Sequence, residues 1–247
     1  MLFFDAHFHA CQCPELENGG FQPPVRPGEG PTGEQQDRFF GASCAHDRDE
    51  FGRQQELVAR SDGHILPLFG MHPQLPLLEN ADFMEGLLKR KEICGIGETG
   101  FDRYTDEYRA RMDEQEAAWR ISLELAAHYQ VPIVVHDRKA LEPVFRDTGL
   151  LKAIPAVIFH SFAFGPREAI SILRHGIHAY FSFSKQLLNG NRKSRACVAE
   201  LPPDRLLLET DAPYQTLRGE ERTSPFEIRR VYREAAHIRE MTLTKLA

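Results

Sequence analysis

The feature that most constrains this chain is an alternation. A short β-rich apolar run gives way to a polar stretch, and then another run follows. Eight such runs read as Leu2–Phe8, Arg38–Cys44, His64–His72, Ile93–Glu98, Val131–His136, Pro155–His160, Ile177–Ser184 and Arg205–Asp211. Several are continuously apolar, as strands of a parallel sheet covered on both faces should be. Between them, helices are expected over Asp82–Lys91, Thr105–Tyr129, Arg138–Leu151, Pro166–His175 and Ser224–Arg239. The longest puts Trp119, Leu123 and Ala126 on one stripe, with Pro132 just past its end. Pro166 sits at an N1-like position. Eight strands alternating with helices predict an α/β fold, a (β/α)8 TIM barrel. It is read as a single domain over residues 1–247, with an open doubly wound sheet as the competing topology.

Two segments break the pattern. Cys11–Asp37 is rich in Pro and Gly and has no helical period, so an irregular loop is expected after strand 1 at the barrel mouth. Leaving beside His9, it would narrow access to short ends or small substrates, and deletion of Glu15–Thr32 should then change substrate preference. The last residues, "TLTKLA", open like a helix with Thr242 as N-cap.

The net charge of −6 speaks against a broad nucleic-acid-coating surface but leaves room for a local grip on a few phosphates. The cysteines Cys11, Cys13, Cys44, Cys94 and Cys197 are odd in number and lack a disulfide-scaffold spacing, which points to a reduced, intracellular protein. No leader and no run of membrane-spanning length is evident, so a cytoplasmic location is expected.

The chemistry gathers at the run ends. Residues two apart on a strand share a face, so His7 and His9 present adjacent imidazoles. Glu98, His136, His160 and Asp211 close runs four, five, six and eight, and His72 follows run three in "GMHP". Catalytic groups of parallel barrels collect at the C-terminal strand ends. Buried charged groups are costly unless paired or metal-bound. A mixed imidazole and carboxylate set suits Zn²⁺, Mg²⁺ or Mn²⁺. Four imidazoles and two carboxylates exceed what one ion needs, so two divalent ions are expected, with Glu98 as the bridging carboxylate.

Other candidates are weaker. The Cys11/Cys13 pair reads as ordinary loop thiols rather than a third metal site. His46, His64, His128, His175, His178 and His237 read as packing or surface residues. "NRKSR" (Asn191–Arg195) reads as a solvated basic helix face before a nucleic-acid contact. Phe162 and Phe164 divide evenly between core packing and base stacking.

The stretches "DAHFH", "GMHP", "GIGETGFD", "VPIVVHDR", "VIFHSF" and "LLLETDAPY" resemble, in this order, the signatures of the TatD family of metal-dependent deoxyribonucleases, in the amidohydrolase superfamily. The resemblance runs from Phe3 to about Leu246, with Cys11–Asp37 as the main gap. It implies a TIM barrel with a binuclear site. By motif, His7, His9, Glu98 and Asp211 would hold one metal, and Glu98, His136 and His160 the other. His72 would contact substrate phosphate rather than hold a metal. The implied activity is phosphodiester hydrolysis, often as a 3′–5′ exonuclease. DNA is therefore the expected partner, as substrate, with no membrane and no obligate protein partner. In such a reaction Asp211 would take a proton from the attacking water, and Arg138 and Lys185 would join His72 on the phosphate. Asp102, in "GFDR", is a candidate to orient a ligand histidine.

The chain departs from the family pattern where the Pro/Gly-rich stretch stands in place of a regular helix and where "HSFAFG" replaces the common "HCFSG". The family's closing helix after "TLTKLA" is expected to be missing. Two rival readings stay open. One is an amidohydrolase-type reaction on a small amide, lactone or phosphoester. The other is a catalytically silent metal-binding barrel.

Overall fold

The computed structural model describes residues 1–19 and 37–247. Its strands are β1 (Leu2–Phe8), β2 (Arg38–Ala45), β3 (Ile65–Phe69), β4 (Gly95–Asp102), β5 (Ile133–Arg138), β6 (Val157–Phe159), β7 (Ala179–Phe183) and β8 (Leu206–Leu208). All neighbours pair in parallel and in chain order, which is the expected (β/α)8 barrel and excludes the doubly wound alternative. The first and last strands meet beyond the short β8 ladder. The Asp211 N–H donates to the His7 carbonyl at 3.0 Å, and the His9 N–H donates to the Ala212 carbonyl at 2.8 Å. The buried Asp5 carboxylate accepts from the Thr210 N–H at 2.9 Å and from its hydroxyl at 2.5 Å. These bonds fasten "ETDAP" to "DAHFH" and so set His7, His9 and Asp211 side by side.

The helices are α1 (Pro14–Gly19), α2 (Arg48–Arg60), α3 (Ala81–Arg90), α4 (Asp106–Ala110), α5 (Met112–Tyr129), α6 (Leu141–Arg146), α7 (Thr148–Leu151), α8 (Pro166–Arg174), α9 (Arg192–Glu200), α10 (Ile228–Ile238) and α11 (Leu243–Leu246). Three expected elements are cut differently. The Thr105–Tyr129 helix is two, because Arg111 leaves the helical region at φ −100°, ψ 21°. The Arg138–Leu151 helix is also two, and Arg138 itself still belongs to β5. The Ser224–Arg239 segment starts as a 3₁₀ turn, where the Ser224 hydroxyl accepts from the Phe226 N–H, and only then becomes α10. Helix α2 was not expected at all. Its start is set by the Asp47 carboxylate, which accepts from the Glu50 N–H. The stretch after strand 1 begins as α1; most of the expected loop, residues 20–36, lies outside the described residues.

Strand β4 runs four residues past the expected end at Glu98. Gly100 permits this: it has φ +135°, and a Cβ there would stand 2.2 Å from the His136 carbonyl oxygen. Only glycine lets β4 pass that close to β5, so Glu98 lies inside the strand and Asp102 ends it. The core between barrel and helices is aromatic-rich. Phe162 packs against Phe159, Phe181 and Phe183 and is almost completely buried, so the packing reading of Phe162 holds and base stacking does not. Phe164 packs against the same core. All the cysteines are free. Among the described residues no helix is long and apolar enough to cross a membrane.

Candidate metal centre

Glu98 stands at the middle of the barrel mouth, buried, with its two oxygens turned to opposite sides. Oε1 lies 3.2 Å from His7 Nε2, 3.5 Å from His9 Nε2 and 3.4 Å from His46 Nε2. Oε2 lies 2.6 Å from His160 Nε2, 3.3 Å from His136 Nδ1 and 3.6 Å from His72 Nε2. Asp211 Oδ1 lies 3.5 Å from both His7 Nε2 and His9 Nε2. Asp211 has φ +56°, a left-handed conformation that costs a non-glycine residue about 1–3 kcal/mol and is met where a side chain must be aimed. The structure thus brings together all the residues expected as ligands. His7, His9 and Asp211 form one three-donor cluster, His7, Glu98 and His160 another, and His72, Glu98 and His136 a third.

Two donors that each sit about 2 Å from a shared ion lie roughly 3–3.5 Å apart at tetrahedral angles. The spacings on the Oε1 side, 3.2 to 3.5 Å, match that better than they match hydrogen bonds. On the Oε2 side His160 at 2.6 Å and His136 at 3.3 Å stand within hydrogen-bond reach. His7 Nε2 and His46 Nε2 are buried and have no hydrogen-bond partner among the described residues. Buried orphan nitrogens aimed at buried carboxylates fit a divalent cation.

Without a cation, the centre holds anionic carboxylates, and His160 carries a proton that a bound cation would displace. Burial pushes the Glu98 carboxyl up, yet the imidazoles of His160, His7 and His72 hold it well below the usual range. Asp211 is likewise held down, against burial, by His9, His160 and His7. Burial lowers His160, but the carboxylates of Glu98 and Glu209 raise it well above the ordinary value.

Behind the ring of donors stand acceptors. Asp102 Oδ2 lies 3.2 Å from His136 Nε2, and Glu209 Oε1 lies 3.8 Å from His160 Nδ1. The Asp102 contact, in a neutral ring, sets the His136 proton on Nε2 and leaves the Nδ1 lone pair toward Glu98. Glu209 stands beyond hydrogen-bond distance of His160 Nδ1, which has no hydrogen-bond partner among the described residues. Glu209 is fixed in turn by the Ser161 N–H and by the hydroxyls of Ser161 and Ser182. His72 is arranged the other way round. Its Nδ1 accepts from the Gln74 N–H at 3.2 Å, so a neutral ring carries its proton on Nε2, facing the cavity. Burial lowers its pKa to about 4. His72 is therefore placed as a neutral donor.

The cavity over the centre measures about 470 Å³ and is lined by His9, His46, His72, Arg138, Tyr214 and Gln215 among others. Arg138 is exposed at its rim, its guanidinium 3.5 Å from the centre of the Tyr104 ring. Lys185, expected on the phosphate, must be corrected. It is fully buried, with its ammonium bound to Glu220, Glu227 and Thr223, and it does not line the cavity. The reason is the turn after β7, which drives the side chain inward toward the 3₁₀ turn before α10. His46, expected to serve packing or surface, is also corrected: it sits in the centre. The available signal was its position directly after a β-rich run. Glu209 was missed too, overshadowed by Asp211 two residues on. Of the thiols, Cys13 is buried and donates to the His9 carbonyl at 3.3 Å. "NRKSR" begins α9, with Asn191 as its cap, away from the cavity-lining residues.

The sequence profile of the TatD related DNase family matches residues 4–247. The chain is 29% identical over 211 residues to the uncharacterized metal-dependent hydrolase YabD of Bacillus subtilis, spanning 81% of this chain and 80% of that one. It is 31% identical over 166 residues to the 3′-5′ ssDNA/RNA exonuclease TatD of Salmonella typhimurium, spanning 64% of this chain and 61% of that one. In solved structures, the fold is similar to that of the TatD homolog YjjV of Escherichia coli, with TM-score 0.76 and 20% identity over 99% of this chain and 93% of that one.

Proposed function

The chain belongs to the TatD related DNase family and is a metal-dependent hydrolase, and from that premise we propose that it removes nucleotides from the 3′ end of single-stranded nucleic acid, DNA first. The observation that carries the reading is the division of Glu98: one oxygen toward His7 and His9, the other toward His136 and His160. That arrangement supports a carboxylate shared by two divalent ions, Mg²⁺, Mn²⁺ or Zn²⁺. His7, His9, Glu98 and Asp211 would hold one, and Glu98, His136 and His160 the other. Such ions supply Lewis-acid activation of water and of the phosphodiester.

The chain's own groups do the rest. Asp211, held as an anion against its burial, is the acceptor for the proton that the attacking water gives up. His72, with Nε2–H turned to the cavity, donates to a non-bridging phosphate oxygen, where charge builds in the transition state. Arg138 at the rim is the second phosphate contact, its plane steadied on Tyr104. Tyr214, half exposed beside His9, offers a face on which the terminal base stacks. A cavity of about 470 Å³ lies in the range that holds one small ligand, which favours a single terminal nucleotide over an internal stretch.

The test is metal-stripped protein, replenished with each divalent ion, on single-stranded DNA and RNA labelled at either end. Mononucleotides leaving only from the 3′ end, with no activity in chelator or after Glu98→Ala, support the reading. Chelator-resistant cleavage overturns it, as does inertness to nucleic acid alongside rapid turnover of small esters or lactones.

A further inference from the structure

We propose that His46 is an additional ligand of the metal centre, through Nε2, on the Oε1 side of Glu98. The inference rests on the reading of this cavity as a divalent-metal site and adds a donor to it. His46 follows β2 directly, at the same C-terminal rim as the other donors. Its Nε2 lies 3.4 Å from Glu98 Oε1, and with His9 and Glu98 it forms a three-donor cluster of its own. That nitrogen is buried and has no hydrogen-bond partner among the described residues.

The far side of the ring decides the role. Nδ1 faces Glu50 Oε2 at 3.4 Å, and the same oxygen accepts the His46 N–H at 2.9 Å. A carboxylate only accepts, so a ring that ligates through Nε2 keeps its proton on Nδ1. Glu50 is itself held. Its Oε1 accepts from the Gln12 amide at 3.0 Å, and the Gln12 oxygen accepts from the Tyr214 hydroxyl at 2.7 Å. The Asp47 cap at 2.8 Å fixes the first turn of α2, on which Glu50 rides. His136 with Asp102 has the same arrangement of ring and carboxylate. His72, only 4.9 Å from His46 between ring centres, has the opposite one. The two neighbours therefore divide the work: His46 ligates and His72 donates. Glu50 and Gln12 are positioning residues.

The experiment titrates Co²⁺ into metal-free protein and follows visible absorption and heat. His46→Ala is expected to bind one Co²⁺ at least ~100-fold more weakly, or to lose it, and Glu50→Gln to weaken it about tenfold, in line with the effect of removing a carboxylate behind a ligand histidine. Should His46→Ala prove poorly folded, His46→Gly with and without free imidazole replaces it, and recovery of the absorption band by imidazole supports the assignment. Equal Co²⁺ affinity and stoichiometry in a folded His46→Ala protein overturns it, including where KM for DNA rises, since His46 would then meet the substrate. If the unsubstituted protein itself takes up no Co²⁺, the metal-centre reading fails and this assignment with it.

Discussion

Asp102 Oδ2 lies 3.2 Å from His136 Nε2 and also accepts from the Gln74 amide at 2.8 Å. Burial pushes this carboxyl up, but His136 and Gln74 pull its pKa down to about 2, so it stays an acceptor at all working pH values. Asp102→Asn replaces one acceptor oxygen by a donor and frees the ring to turn its proton inward. Metal affinity should fall about 10–100-fold. Calorimetric titration with Mn²⁺ measures this; an unchanged affinity would mean that His136 needs no such partner.

His72 should separate binding of substrate from binding of metal. Loss of a single donor to a charge-building oxygen costs roughly 10²–10³ in rate. His72→Ala is expected to lower kcat/KM for single-stranded DNA by about that factor with metal content intact. Metal loss in this variant, read by elemental analysis, contradicts the donor role.

Lys185 should matter for stability and not for substrate. Its buried ammonium is paired with Glu220 and Glu227. Removing one partner of a buried pair costs about 3–5 kcal/mol. Lys185→Met is expected at the low end of that range, because both carboxylates are partly exposed and can hydrate. KM for DNA should stay within about twofold, since the ammonium lies outside the cavity. A large rise in KM without loss of stability would restore Lys185 to the phosphate.

The same cluster gives a pH signature. The Lys185 ammonium, helped by the Leu217 N–H, lowers the Glu220 pKa to about 2. A carboxyl depressed on folding contributes stability that is complete above its ordinary value, about 4.3, and is lost as pH falls toward 2. The gap in urea midpoint between the unsubstituted protein and Glu220→Gln should be constant from pH 7 to about pH 5 and shrink below it. A gap independent of pH down to pH 3 would show that this carboxylate is not depressed by folding.

Much of the barrel could be read in the sequence because its strands are apolar runs ended by charged or imidazole groups. His7 and His9 were legible from the two-residue period of a strand. Where the reading failed, a local exception had overridden the pattern. Glu98 is the end of its apolar run, yet Gly100 lets β4 continue to Asp102 by its close approach to β5. Helix α2 was hidden because few of its residues are apolar: Phe51, Gln54 and Leu57 are what it buries. Without that helix, Glu50 had no place, and His46 stood in a polar stretch with nothing to aim it. Lys185 follows a strand end as the site residues do. Its inward turn depends on Glu220 and Glu227, which are distant in sequence and gave no local sign.

The account stands most directly on where cations sit, and anomalous diffraction from crystals grown with Mn²⁺ locates them. It predicts two peaks flanking Glu98, one bonded to Oε1 with His7, His9, Asp211 and His46, the other to Oε2 with His136 and His160. A well-ordered map with no peak on Glu98, or with Mn²⁺ bound only outside the barrel mouth, would contradict it.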